Sequence, residues 1–453
     1  MTKESLLPSD IPACAPEDGK LVTESEGRGT ILGSCFVLAS SAIGAGVLAF
    51  PYAFCKAGLA MAVVILVAVT MLMLFSLCVI GFSMQAAQSR NANIRSYEEL
   101  TTATAGNRAG ILLEVIIVFY MLGACTGFLT IVGDMIVPLI ANENSFLMSW
   151  IGSAANLRRC VIISVGVCID LPLSLLRRLD MLKYTSVISL CGVLYLVFIL
   201  ALDAGRGDEA VSQFKPVWPG VAISVPLMTF ALNCHIQAPI VYAELKPKLR
   251  NAPKMGIACG LAMVICLLIY LPAGIFGYLR FGESVLGDVL TVGQGENNHC
   301  SASSVGSGGF LVSDYWADGA RVCLAVTAMS GYALNHFPAR PALFSIYKRV
   351  ARLSGRSAVT ADSPPFIFVM IEGVTWLVVC VTISLFCSDL AAIFSLTGST
   401  CGSTVIFILP GFFWWSYGPM ESFWKRLLPC CLLWVVGGVI LVVGTMVTVL
   451  GLK

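Results

Sequence analysis

The chain has 453 residues, 57% of them hydrophobic and only 12% Asp, Glu, Lys or Arg, about half the charged fraction of an ordinary soluble domain, which is roughly 25%. With 28 basic against 26 acidic residues the formal charge is +2, so no basic field exists to draw a nucleic acid, and no nucleic-acid partner is expected. A mean hydropathy of +0.87 excludes a water-soluble fold and predicts an all-α polytopic protein lying in a lipid bilayer.

Residues 1–29 are polar and carry six acids and three bases, which predicts a disordered cytoplasmic tail with no cleavable signal peptide. Eleven runs of about 20 mostly apolar residues follow, each long enough for a spanning helix. They lie at about 30–54, 58–82, 111–137, 159–176, 184–203, 218–240, 255–279, 319–338, 366–386, 389–414 and 428–450, and make residues 30–450 one transmembrane domain. Most of the 18 cysteines fall inside these runs, among them Cys35, Cys78, Cys125, Cys168, Cys259, Cys266 and Cys380, and read as small buried hydrophobes rather than a disulfide framework. Twenty of the 28 Lys and Arg lie on the segments that share a side with the N-terminus, against seven on the other side. That bias puts the N-terminus in the cytoplasm and, with an odd number of spans, Lys453 outside or in a lumen.

The first span gathers Ser40, Ser41, Ala42, Ile43, Gly44, Ala45 and Gly46, with Pro51 a turn and a half later. Two glycines around one small residue favour unwinding, since each costs about 1 kcal/mol relative to Ala inside a helix. Opened backbone at membrane depth is tolerated only where it lines a cavity. Glycines that merely allow close packing are the other reading, as at Gly29-x-x-x-Gly33 and Gly256-x-x-x-Gly260. The sixth span tips the balance, because Pro226 and Pro239 bracket a polar centre of Asn233, His235 and Gln237, and proline interrupts a helix. Helices 1–5 (30–203) and helices 6–10 (218–414) then each open on a discontinuous helix. This is the five-plus-five inverted repeat of a secondary transporter, with helix 11 (428–450) as one extra C-terminal helix.

Such a site suits an amino acid. The amides of Gly44, Ala45 and Gly46 open a half-helix and favour a carboxylate, whereas carbonyls at Ser41, Ala42 and Ile43 and around Phe230 to Asn233 can accept from an ammonium. Tyr120 and Phe230 are candidate walls. Ionisable groups inside spans default to functional hypotheses. His235 in the sixth-span break and Glu372 within the ninth span are candidates for carrying a proton, each weighed against a packed or ion-paired role. Glu114, Asp170, Asp134 and Arg321 read as interfacial or gate-pairing groups, with Arg321 and Asp134 able to pair in an outer gate. His336, beside Pro338 and Arg340, reads as structural. His299 and Cys300 are too few for a metal site, and neither metal nor cofactor is expected. The spans contain no nucleophile with a base and no paired carboxylates, so an enzyme is not expected.

Several stretches resemble one family: SSAIGAGVLAFPYAFCKAG of the first span, FALNCHIQAPIVYAELK of the sixth, PLSLLRRLDMLKYTS between the fourth and fifth, IFGYLRFG at the exit of the seventh, and SLTGSTCGSTVIFILPGFF of the tenth. Spread over residues 34–413, they are similar to the amino acid/auxin permease family of the APC superfamily, with protist members the nearest likeness. The resemblance implies eleven helices in the leucine-transporter-like fold and secondary-active transport of amino acids driven by H⁺ or Na⁺. Sodium-coupled members carry an Asn in the first-span break where this chain has Ser41, and use a Thr of the eighth span whose nearest counterpart is Thr327, with Ser330 behind it. Ser40 and Ser41 still offer oxygens, but the lost amide favours H⁺ over Na⁺ as the coupling ion. The scarcity of midplane carboxylates favours neutral, zwitterionic substrates. Arginine or lysine transport, an amino acid sensor and a channel remain open alternatives, and the plasma membrane is favoured over a vacuolar or lysosomal one.

Overall fold

The computed structural model describes residues 29–90, 94–140, 151, 153–175, 183–205, 212, 217–285, 287–288, 314–353, 364–387, 389–419 and 423–450. Residues 1–28 of the expected tail, and His299 with Cys300, lie outside them. Among the described residues the chain is helical, with a single isolated β-bridge between Gly29 and Leu245.

Helix α1 (Ile31–Ala42) starts where the Thr30 hydroxyl accepts the Gly33 amide. After Ile43 and Gly44 comes a 3-10 turn, Ala45–Ala49, and then α2 (Phe50–Ala57), with Pro51 in its first turn. Helices α3 (Leu59–Arg90) and α4 (Tyr97–Ile140) follow, the latter interrupted at Gly106, whose φ of 82° no helix accommodates. The fourth expected span is α5 (Ala154–Val165), a π-helical turn (Gly166–Asp170) and α6 (Leu171–Leu175); the fifth is α7 (Lys183–Ala204). The sixth is two pieces, α8 (Val217–Ala231) and α9 (Ala238–Glu244). Then come α10 (Ala252–Phe281), α11 (Asp314–Leu353) and α12 (Phe366–Phe386). The tenth run is α13 (Leu390–Thr397), two π-helical turns and α14 (Leu409–Tyr417). Helices α15 (Phe423–Val439) and α16 (Thr445–Leu450), joined by a further π-helical turn, end the described chain.

Among the described residues six helical stretches are long and apolar enough to cross a membrane, and the first span makes a seventh as a pair bent by 55°. Helix also occupies the fourth, fifth, sixth and eighth expected runs, which are not among these stretches. Many large apolar side chains face outward, including Leu32 and Val64 on early helices, Leu268 on α10, and Ile367 and Phe386 on α12. An outer surface of this kind is stable only against lipid. Cys78 and Cys168 lie on it too, contrary to their reading as buried hydrophobes.

Close packing uses Gly29 of the first pair, where a Cβ would stand 2.9 Å from Glu244 O, and several glycines that the spacing did not single out. A Cβ on Gly274 or Gly277 of α10 would stand 2.4 Å from Phe54 or 2.3 Å from Pro51 of α2. Likewise Gly123 and Gly127 of α4 give their space to Thr397 and Phe394 of the tenth run. Gly260, by contrast, faces nothing within 4 Å, so Gly256-x-x-x-Gly260 is no packing motif here.

Candidate functional site

Both interruptions read from the sequence are present. Pro226 sits inside α8 without ending it, and the chain leaves the helix only after Ala231. The loss of order is set instead by Asn233, whose Oδ1 accepts the His235 amide at 3.0 Å in a side-chain turn that competes with helix. Pro239, in the first turn of α9, restarts the helix where its missing N–H costs nothing.

The two broken helices lie antiparallel. At one end Gly29, just ahead of α1, donates to Glu244 O at the end of α9 (2.9 Å) and accepts from the Lys246 amide (3.1 Å). At the other, Ser224 of α8 donates to Ala53 O of α2 at 2.8 Å. Between them the breaks touch: a Cβ on Gly46 would stand 2.7 Å from the Ala231 Cβ. The Tyr270 hydroxyl of α10 sits over both, 2.7 Å from Ala42 O and 3.2 Å from Ala231 O, donating to carbonyls that the two helices leave free. Its ring stacks on Phe50 with centroids 4.3 Å apart.

A cavity of about 60 Å³ lies beside this junction, lined by Ser41, Ala42, Gly44, Gly46, Phe230 and Asn233 of the breaks and by Tyr120 of α4, all singled out from the sequence. That volume holds a handful of waters, comparable to the heavy atoms of a small amino acid. Asn233 Nδ2 donates to the Tyr120 hydroxyl at 2.8 Å, so α4 is tied to the second break. Tyr120 meets Phe230 at 5.5 Å, and Phe230 stacks on Phe394 at 4.4 Å, which forms an aromatic wall. The remaining lining, Met121, Ala124 and Phe128 of α4, Ala231 of α8, Gln237, Asn335 of α11 and Phe394 of α13, contains no charged residue. Phe394, Phe128, Asn335 and Tyr270 carried no local signal, since only the fold brings their helices to the breaks.

Other expected residues stand elsewhere. Ile43 is buried away from the lining, and its amide still closes the last turn of α1 on Ala39 O. Ala45 begins the 3-10 turn. Ser40 and Ser41 are exposed and donate to Val37 O and Leu38 O of their own helix. Thr327 and Ser330 are buried on α11, their hydroxyls donating to Cys323 O (2.9 Å) and Val326 O (2.5 Å). His235 is wholly buried, near the Met73 carbonyl of α3, outside the cavity lining. Glu372 is likewise away from the lining, 2.5 Å from His336 Nε2 and 3.4 Å from Arg340 Nε. The outer-gate pairing fails: Asp134 pairs with Arg158 at 2.8 Å, and Arg321 with Asp318 at 2.9 Å. Each charge takes a partner close in sequence rather than one across the bundle. Glu114 is buried and accepts from Ser345 (2.7 Å) and Arg349 (3.2 Å) of α11. Among the described residues no group of three or more His, Cys, Asp or Glu could hold a metal ion.

Residues 27–450 match the family described as transmembrane amino acid transporter protein. The chain belongs to that family. It is 28% identical over 400 residues to sodium-coupled neutral amino acid transporter 7 of Danio rerio, covering 86% of this chain and 79% of that protein. With the Xenopus laevis protein of the same name it shares 28% over 412 residues, 90% of this chain and 84% of the other. With human solute carrier family 38 member 8 it shares 27% over 427 residues, 92% and 91% of the two chains. This is a family of transporters rather than enzymes, within the superfamily to which the sequence motifs pointed.

Proposed function

We propose that this protein is a secondary-active transporter of neutral amino acids, working by alternating access around the cavity between the two breaks. The observation that carries the proposal is the lining itself: opened backbone from two antiparallel broken helices, aromatic walls, and no charged side chain. Amides that begin the 3-10 turn at Gly44, Ala45 and Gly46 would receive the carboxylate, because the first N–H groups of a helix have no intrahelical acceptor. Carbonyls around Ser41 and Phe230 would receive the ammonium. Neither needs a counter-charge from a side chain, and a cationic side chain would find none, which favours alanine-like over arginine-like substrates. An antiparallel pair of broken helices is also what a five-plus-five inverted repeat of eleven spans requires, and the basic-residue bias sets its N-terminus in the cytoplasm.

For the coupling ion we put Na⁺ first. Ser41, in place of an asparagine, pointed to H⁺, but the relatives are named as sodium-coupled, and the two hydroxyls of α11 and the two serines of α1 supply oxygens of the kind Na⁺ takes. A competition panel against labelled alanine uptake in transport-deficient cells tests the substrate class. Alanine, glutamine and leucine should displace the label and arginine should not; arginine as the strongest competitor would refute the proposal.

A further inference from the structure

One ring of the cavity lining is held more tightly than the rest. Phe394 of α13 lines the cavity yet is only 1% exposed. Its ring stacks on Phe230 with centroids 4.4 Å apart, and it passes so close to Gly127 of α4 that a Cβ there would stand 2.9 Å from Phe394 Cζ. The helix that carries it is wedged between two others. One turn along α13, Thr397 fills the space over Gly123, where a Cβ would stand 2.9 Å from Thr397 Cγ2, so Gly123-x-x-x-Gly127 forms a groove on α4 that receives α13. Toward α8, Gly398 abuts the Pro226 carbonyl, and a Cβ on it would stand 3.0 Å from Phe230 Cβ. Carbon atoms pack at about 3.5–4.0 Å, so neither flank has space into which α13 or the Phe394 ring could retreat.

Both charged ends of a bound amino acid are assigned to the two breaks, so its side chain is left the other walls: Met121, Ala124 and Phe128 of α4, Asn335 of α11, and Phe394. A side chain that outgrows the cavity of about 60 Å³ requires one of these groups to yield. Met121 can do so, because an unbranched thioether with three rotatable bonds adapts its shape, and this makes room for a flexible chain. Phe128 is half-buried, so open space lies beside it. Phe394 is locked on every flank just described, and a close-packed ring gives way only at the cost of strain in its neighbours. We propose that Phe394 sets the upper size limit of the transported side chain, admitting aliphatic and amide groups and excluding aromatic rings. A substrate ring and the Phe394 ring claim the same space, whereas a leucine or glutamine side chain bends past it toward Met121.

This inference rests on the transport function proposed above, and one preparation separates the two. The full chain is reconstituted in proteoliposomes, and kcat/KM is measured for labelled alanine, leucine and phenylalanine. Wild-type protein that moves none of the three overturns both proposals. Wild-type protein should move alanine and leucine and refuse phenylalanine; phenylalanine carried as well as leucine overturns this proposal alone. F394L and F394A should raise the ratio of kcat/KM for phenylalanine to that for alanine by about tenfold or more, the scale on which apolar pockets discriminate by size. A merely structural role would lower both substrates together and leave the ratio unmoved, which overturns the proposal, as does a gain for phenylalanine in F128L that F394L does not show. Should neither Phe394 variant assemble, competition on the wild type decides. Leucine displacing labelled alanine while phenylalanine and tryptophan do not supports the limit, and displacement by all three overturns it.

Discussion

The contact between the two breaks can be opened by one methyl group. Replacing Gly46 by alanine would put a Cβ 2.7 Å from the Ala231 Cβ and 3.2 Å from its Cα. Carbon atoms pack at about 3.5–4.0 Å, so the breaks must part by about 1 Å. Both sides of the contact are held, one by the first turn after Gly44, the other by the Tyr270 hydroxyl at 3.2 Å from Ala231 O. A parting of that size breaks the longer Tyr270 contact, and overpacking of this kind costs about 1–3 kcal/mol, equivalent to about 5- to 150-fold in an equilibrium constant. Gly44→Ala is the matched control. Its Cβ would meet nothing within 4 Å, and its φ of −159° is extended backbone open to any residue, so stability should change by no more than about 0.5 kcal/mol. The new methyl would instead project beside the cavity. Thermal unfolding of the purified protein and labelled alanine uptake distinguish the pair: G46A should melt lower and transport poorly, whereas G44A should melt like wild type with a raised KM. G46A with wild-type melting and uptake, or G44A as the less stable of the two, would refute the reasoning.

Three further outcomes follow from the geometry. Tyr120→Phe removes the acceptor of the 2.8 Å bond from Asn233, a net loss of about 0.5–1.5 kcal/mol; KM for alanine should rise by about 2- to 12-fold, and an unchanged KM would detach Tyr120 from the site. Glu372→Ala removes the buried carboxylate between Arg340 and His336, and breaking a buried ion pair costs about 3–5 kcal/mol; size-exclusion chromatography should show little folded protein, while R321A, whose Asp318 partner is 41% exposed, should keep wild-type uptake. Glu98, on the helical arm ahead of the Gly106 turn, is pushed up to about 7 by burial and then by the adjacent Glu114. A carboxyl whose pKa is raised by folding destabilises the fold once ionised, so stability falls as pH rises through that value; E98Q should melt higher than wild type at about pH 8 and alike at about pH 5.

What could be read from the sequence was local. Ser40 to Gly46 and Asn233 to Pro239 interrupt their helices through the conformational preferences of the residues themselves, so both breaks, and with them most of one cavity wall, were legible. Tyr270, Phe394, Asn335 and Phe128 were not, because nothing near them in sequence separates a residue facing a cavity from one facing lipid. Depth along an apolar run was also a poor guide to charge. It placed Asp170 near a membrane surface, but the π-helical turn rotates that side chain into the interior. It offered Glu372 as a proton carrier, although His336 and Arg340, a span away in sequence, engage it. Pairing also defeated the proposed gate, since Arg158 and Asp318 lie nearer to Asp134 and Arg321 than those two lie to each other along the chain.

Gradient-driven accumulation is the most direct test of the account. In proteoliposomes holding the purified chain, labelled alanine should concentrate inside above its external level when an inward Na⁺ gradient is imposed at equal pH, and should leak back when the gradient is collapsed. Equilibration that never exceeds the external concentration under either a Na⁺ or a pH gradient would contradict secondary-active transport by this protein.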